Sequence, residues 1–266
     1  MYETKYHRAS SADEAVSLMG SAEDGKFIAG GQTLIPTMKQ RLAAPSDLID
    51  IAAIDNLAGI SVDGNQVKIG ACATHAQVAG DSNLQAACPA ICDLASHIGD
   101  PAVRHKGTIG GSIANNDPAA DYPAAMVALN AQIHTNKRTI GSGDFFVGLF
   151  ETALEEDEII TSVSFSAPAK AAYAKFPNPA SRYAMAGVFV AKTQDGSAHV
   201  GITGAGSDGV FTHQGMEAAL TSDWSAQAIS SEGVDADDML SDIHADGAYR
   251  ANLVKVMAGR AVTAAG

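Results

Sequence analysis

The segment KFIAGGQTLIPTMKQRL, from Lys26 to Leu42, constrains the fold of this chain more than any other feature. A short apolar strand pattern runs into two adjacent glycines and then directly into a helix pattern. Gly30 and Gly31 lack a Cβ, so they admit positive φ and let a ligand approach the backbone closely. The amides that follow can point together at an anion. Pro36 falls in the first turn of the helix, where its missing N–H costs little. With DLIDI as a second strand, residues 26–51 read as one small αβ unit, and a helix over Ala12 to Met19, capped by Ser11, precedes it.

A second glycine-rich segment, GTIGGSIANNDPAADYPAA, spans Gly107 to Ala125 and reads as a loop. Gly110 and Gly111 again permit close approach, while Thr108, Ser112, Asn115 and Asn116 offer short hydrogen-bonding side chains. Taken alone it suits an anion held by amides, a metal, or an elaborate turn. Asp117 and Asp121 have no histidine or third carboxylate at a matching spacing, so no metal site is read. Asp121 can accept hydrogen bonds from ribityl or ribose hydroxyls, and Asp117 shapes the turn before Pro118. Together the two segments can embrace the middle of a long dinucleotide.

Other motifs are weaker. GITGAGSDG, Gly201 to Gly209, imitates a dinucleotide fingerprint, but a strand-like VFTH follows where a helix must open. No GxxxxGK[ST] occurs. Between the two glycine segments, QVKIGA reads as a strand, Thr74 as the cap of a helix beginning HAQVAG, and Asn83 to His97 as a helix broken or kinked at Pro89. YPAAMVALNAQIHT reads as helix then strand, and DEIITSVSF as a strand. SAPAKAAYAKFPNPASRYAMAGV, rich in Ala, Pro and Ser, reads as a connection, with a domain boundary near residue 168. Strands VFVAKT, HVGITGAG and GVFTHQ follow, then helices GMEAALTS, SAQAISSEG and ADGAYRANLVKVMAGRAV. The fold class is therefore α+β.

With 46% hydrophobic residues among 266, the chain can bury a large core, and no apolar run nears the roughly 18 residues of a membrane span. The first residues mix both charge signs, so no signal peptide is read and the cytoplasm is the expected compartment. The net charge of −13 and the acidic run between Thr221 and Arg250 (Asp223, Glu232, Asp235, Asp237, Asp238, Asp242, Asp246) exclude a basic nucleic-acid-binding stripe. Cys72, Cys88 and Cys92 are too few to ligate an ordinary iron–sulfur cluster, and CPAIC reads as a pair of structural thiols on a helix.

AGGQTLIPTMKQRL, HIGDPAVRHKGTIGGSIANNDPAADYPAA, DEIITSVSF and AYAKFPNPASRYAMAGVFVAKT resemble the FAD-binding medium subunit of molybdenum hydroxylases, the xanthine dehydrogenase family, and above all its carbon monoxide dehydrogenase medium-chain type. The resemblance covers nearly the whole chain. It implies a PCMH-type FAD-binding domain of two αβ subdomains over residues 1–168. A small C-terminal domain of antiparallel sheet and helices would follow over 169–266. By positional match, Phe27, Ile28, Ala29, Gly30, Gly31, Gln32, Thr33 and Leu34 would form the first loop around the FAD pyrophosphate. Thr108, Ile109, Gly110, Gly111 and Ser112 would form the second, with Asn115 and Asp121 reaching ribityl or adenosine hydroxyls. Ile98 and Ile160 would touch the flavin or adenine ring, and Tyr173 and Lys175 would approach the isoalloxazine.

The activity implied is that of an oxidoreductase subunit. Electrons would leave a molybdenum cofactor on a large subunit, pass two [2Fe–2S] clusters on a small subunit, reach FAD here, and go on to an external electron acceptor. The chain would hold and tune the flavin, and no general acid or base is assigned. A stand-alone flavin oxidoreductase of the same superfold, similar to the UDP-acetylenolpyruvylglucosamine reductase type, is the alternative; it would need its own substrate pocket and proton donor.

Overall fold

A computed structural model describes all residues, 1–266. The first unit alternates strand and helix: β1 (Lys5–Arg8), α1 (Ala12–Ser21), β2 (Gly25–Ile28), α2 (Leu34–Lys39) and β3 (Asp47–Asp50). Its strands are parallel in the order β1-β3-β2. Ser11 caps α1 by accepting from the Glu14 amide, and Arg41, at φ +63°, stops α2 short of the expected Leu42. Ala15 and Ile49 seal the small core between helix and sheet.

The second unit opens with the hairpin β4 (Ile60–Asp63) and β5 (Gln66–Gly70). Short helices follow: α3 (His75–Gly80), α4 (Ser82–Ala87), α5 (Pro89–Ser96), α6 (Pro101–Arg104), α7 (Ile109–Asn115) and α8 (Tyr122–Ala128). Then come β6 (Gln132–Thr135), β7 (Thr139–Gly141), α9 (Ser142–Phe145), a small hairpin of β8 (Phe146–Gly148) and β9 (Glu151–Thr152), and β10 (Ile160–Ser166). The sheet order is β4-β5-β10-β6-β7, antiparallel throughout. Pro89 does break the expected long helix, and it starts α5 at a position where proline's missing N–H is harmless.

The sheet changes at residues 167–169. The segment read as a connection is instead the long strand β11 (Lys170–Pro177), paired antiparallel with β12 (Ala184–Lys192) along its length, with a register shift between Phe176 and Pro177. Its alanines are no sign of a linker. They let α5 lie on one face of the sheet and α11 on the other. Next come β13 (Ala198–Thr203) and β14 (Phe211–Thr212), α10 (Gln214–Ser222) and α11 (Gly247–Ala265), with sheet order β11-β12-β13-β14. SAQAISSEG forms no helix. Its amides Ala228, Ser230 and Glu232 each reach back three residues, to Ser225, Gln227 and Ile229, as successive turns.

Strand β12 is buried on both faces. Phe189 and Ala191 enter the core of the second unit, while Ala186, Val188 and Val190 enter the core under α11. Alternation along a pleated strand thus feeds two cores from one segment. Helix α8 lies directly on the neighbouring strand at Gly201, where an added Cβ would fall 2.0 Å from the Ala124 carbonyl oxygen. Gly201→Val is expected to lower stability by about 1–3 kcal/mol through overpacking, seen as a drop in the thermal midpoint by circular dichroism.

Candidate functional site

A cleft of about 600 Å³ opens between the first αβ unit, the α6–α7 segment and one turn of the C-terminal sheet. Strand β2 delivers the chain to its wall. Gly31 turns there with φ +68°, and a Cβ on Gly30 would lie 2.0 Å from the Lys106 carbonyl oxygen, so the two glycine segments touch at this point. The amides from Gly30 to Leu34 donate to no acceptor within the chain. Thr33 stands at the N-cap of α2 in helical geometry without a side-chain cap. Unpaired donors on this scale are stable only if water or a ligand takes them. Phe27, Ile28, Ala29, Gly30, Gly31, Gln32, Thr33 and Leu34 all line the cleft.

The second segment differs from its sequence reading. It is not a loop but the start of α7, capped by Thr108, whose Oγ1 accepts from the Gly111 amide at 3.1 Å. The amides of Ile109 and Gly110 are committed to Ala73 and Ala71 carbonyls at 3.1 and 2.8 Å. A Cβ on Gly110 would meet Ala71 at 2.6 Å. Gly110 therefore serves the close packing of α7 on the segment after β5, and Ile109 is fully buried core. Thr108, Gly111, Ser112 and Asn115 do line the cleft. Asn116 ends α7 in left-handed geometry, its Nδ2 donating to Gly148 and Glu151 carbonyls. Asp117 accepts from the Ala119 amide at 2.9 Å, in keeping with a turn-shaping role, and burial pushes its carboxyl up from the usual range.

Asp121 lines the cleft from the start of α8 and is almost wholly buried. Tyr173 Oη donates to its Oδ1 at 2.5 Å, and Lys175 Nζ lies 2.9 and 3.0 Å from its two oxygens. Burial pushes the carboxyl up, and the Lys175 ammonium and the Tyr173 hydroxyl pull against that shift. Tyr173 and Lys175, expected near a flavin ring, do not line the cleft; they stand behind Asp121 and hold it. Ile160 is likewise absent from the cleft wall and belongs to the core of the second unit, whereas Ile98 is on the wall.

Several cleft residues carried no sequence expectation of contact. Ser181, Arg182 and Tyr183 reach the cleft from the turn between β11 and β12, where Arg182 takes φ +65° and its guanidinium donates to the Gly99 carbonyl at 3.3 Å. The pairing of an arginine with a tyrosine in NPASRY was the available signal. His75, the first residue of α3, is 5% exposed, and its pKa is lowered from 6.5 to about 4 by burial and then by the Arg104 guanidinium. Only its place after the Thr74 cap marked it.

Residues 2–168 match the family described as "FAD binding domain in molybdopterin dehydrogenase". The nicotine 6-hydroxylase medium subunit of Paenarthrobacter nicotinovorans is 33% identical over 98% of this chain and 97% of its own length. The carbon monoxide dehydrogenase medium chain of Afipia carboxidovorans is 33% identical over 97% and 94%. Among solved structures, a chain of the Cu,Mo-CO dehydrogenase in its cyanide-inactivated form superposes with TM-score 0.88 at 31% identity, covering 100% of this chain and 98% of that one. A chain of quinoline 2-oxidoreductase from Pseudomonas putida 86 gives 0.88 at 26%, covering 99% and 96%. The fold and the family match define a flavin-nucleotide-binding oxidoreductase subunit. The chain belongs to the FAD-binding medium subunits of molybdenum hydroxylases, in which the cofactor is FAD and the role is electron transfer.

Two outcomes follow from this geometry. Gly30→Ala is expected to force the first segment off Lys106 and weaken FAD binding by roughly five- to a hundredfold, since strain of about 1–3 kcal/mol converts to that range; fluorescence titration of the flavin-free chain measures it. His75 stays neutral in the fold down to about pH 4, whereas in the unfolded chain it gains a proton near 6.5. The unfolded state therefore binds more protons in that window, and stability is lost as the pH falls from 6.5 to 4, by at most about 3 kcal/mol. Urea melts at pH 7 and pH 5 should show a smaller drop for His75→Gln than for the parent chain.

Proposed function

We propose that this chain holds FAD in the cleft and works within a heterotrimer, receiving electrons from [2Fe–2S] clusters of a small subunit. Those clusters would in turn be reduced by a large molybdopterin subunit. The observation that carries the placement is the run of unpaired amides from Gly30 to Leu34 facing the same cleft as Thr108, Ser112 and Asn115. Backbone donors concentrated at one wall suit the paired anionic groups of a pyrophosphate. Thr108, Gly111, Ser112 and Asn115 would bound it from the α7 side, while Ile98 and Tyr183 offer apolar surface to a ring. Asp121, with Oδ1 held by Tyr173 and Lys175 and Oδ2 taking one further contact from Lys175, keeps a lone pair on Oδ2 for a ribityl or ribose hydroxyl. Tyr173 and Lys175 would thus act through Asp121, while Ile109, Gly110 and Ile160 support the walls from the core.

Bound FAD supplies the redox chemistry, accepting electrons from the clusters and yielding them to an external acceptor. The protein's part is to orient it and to fix the polar groups around it. The relatives named above are medium subunits or medium chains by name, and this chain spans almost all of their length. Its cysteines, Cys72, Cys88 and Cys92, are all buried free thiols, fewer than the four ligands of an ordinary cluster, in keeping with clusters held by a partner. Free thiols also favour a reducing compartment, and the cytoplasm is the one we propose. No helix is long and apolar enough to cross a membrane.

The test is an absorption spectrum and a pull-down. The purified chain should show oxidised-flavin absorption, as isolated or after adding FAD, and should bring down two further subunits from its source cells. A colourless chain that takes up no FAD would overturn the cofactor placement. Oxidation of an organic substrate by the FAD-loaded chain alone would overturn the partner assignment.

A further inference from the structure

His75 and Tyr122 carry polar groups that the fold leaves unanswered. His75 opens α3 under a complete capping box, in which Thr74 Oγ1 accepts from the Gln77 amide. Its own amide donates to the Gly107 carbonyl at 2.9 Å. The imidazole fills the space beside Gly107, where a Cβ would fall 2.6 Å from Nε2. Its other neighbour is the Tyr122 ring, with centroids 5.4 Å apart and planes tilted by 41°. His75 Nδ1 and Tyr122 Oη are both shut away from solvent with no partner in the chain. Nε2 also lacks a partner, yet it is not sealed in, and His75 lines the cleft.

A buried donor left unpaired costs about 1–3 kcal/mol, so a proton is favoured on the nitrogen that a partner can reach. Neutral imidazole has one N–H and one bare nitrogen. The His75 and Tyr122 rings are in contact, but Nδ1 and Oη are not hydrogen-bonded to each other, so a proton on Nδ1 would be sealed in unanswered. A proton on Nε2, the nitrogen that is not sealed in, can be answered by a ligand of the cleft. The ring lies beside Gly107 and Thr108, next to the point where Gly30 meets Lys106. That is the wall to which the reading above assigns the pyrophosphate.

We infer that His75 is a cofactor-contacting residue: a neutral imidazole that donates from Nε2 to a pyrophosphate oxygen of FAD. The inference rests on the FAD reading of the cleft. His75 then adds a donor from the α3 side to the backbone amides of the first segment, without adding a formal charge. Burial and the Arg104 guanidinium both resist protonation of the ring, in keeping with a donor that works uncharged.

The full chain, freed of flavin and reloaded with FAD, tests this. Nitrogen-15 spectra of the FAD-bound chain should show His75 neutral and protonated on Nε2 at pH 7. Phosphorus-31 spectra should show the FAD pyrophosphate signals moving in His75→Leu, with affinity falling roughly tenfold or more, the worth of a hydrogen bond to a charged group. Tyr122→Phe, which removes one unpaired oxygen from a packed ring, should leave the FAD affinity and the phosphorus signals at the parent values. If His75→Leu does not fold by circular dichroism, the tautomer in the loaded parent chain decides. An Nδ1-protonated His75 in the loaded parent overturns the inference, as do unchanged affinity and phosphorus signals in His75→Leu. A parent chain that binds no FAD would instead overturn the cofactor placement on which the inference stands.

Discussion

Asp121 is a carboxylate at the start of a helix, buried at the wall of a cleft, and its pairing governs how the parts of this molecule meet. An isolated charge there would be too costly to keep, and removing one partner of such a pair typically costs about 3–5 kcal/mol. Both partners, Tyr173 and Lys175, come from β11, two residues apart and so on one face of the strand. Lys175 also donates to the His97 carbonyl at the end of α5. One ionic cluster therefore fixes the register of the C-terminal sheet against two helices of the FAD-binding part. The floor of the cleft is set by strand residues that never reach it.

The same dependence runs through the apolar interior. Tyr173, Phe189 and Ala191 belong to the core of the second unit although they lie on the C-terminal sheet. Gly201 lets α8 rest on the backbone of β13, and Thr203 Oγ1 donates to the Ala120 carbonyl at 2.6 Å just ahead of that helix. Arg250, on α11, closes the far side by donating to the Met185 and Gly204 carbonyls while paired with Asp242. A sheet packed on both faces in this way is held as part of one cooperative body. The turn bearing Arg182 and Tyr183 inherits that rigidity where it meets the cleft.

The sequence was legible where chain direction is written in local signals. Ser11, Thr74 and Pro89 mark helix starts, and the glycine pair after β2 marks the first wall of the cleft. It was less legible where a residue's meaning depends on what packs against it. Gly110 looks in sequence like Gly30, but one packs on Ala71 and the other touches Lys106 at the wall of the cleft. Thr108 followed by Ile109 could have been read as a helix start; the density of glycine and asparagine hid it. Ala171, Ala172 and Ala174 read as a linker because small side chains carry almost no alternation. Only the close approach of α5 and α11 shows why they are small. His75 had no signal beyond its place after a cap, since its orphaned nitrogen is a property of the tertiary environment.

In the proposed function the two walls of the cleft would divide the work of holding an anion. In α7 the first amides are already answered by Thr108 and by the Ala71 and Ala73 carbonyls, so that segment contributes side chains and shape. In the first segment the amides are unanswered, so it contributes donors. A chain with net charge −13 gains from this arrangement. Backbone dipoles would attract an anion without adding formal positive charge beyond the Lys26 and Arg182 side chains that line the cleft. They are fixed by the fold rather than by flexible side chains, so little order is lost on binding. The unpaired amides are tolerable in the flavin-free protein only because the cleft admits water, so the donor wall and the opening of the cleft are two sides of one requirement.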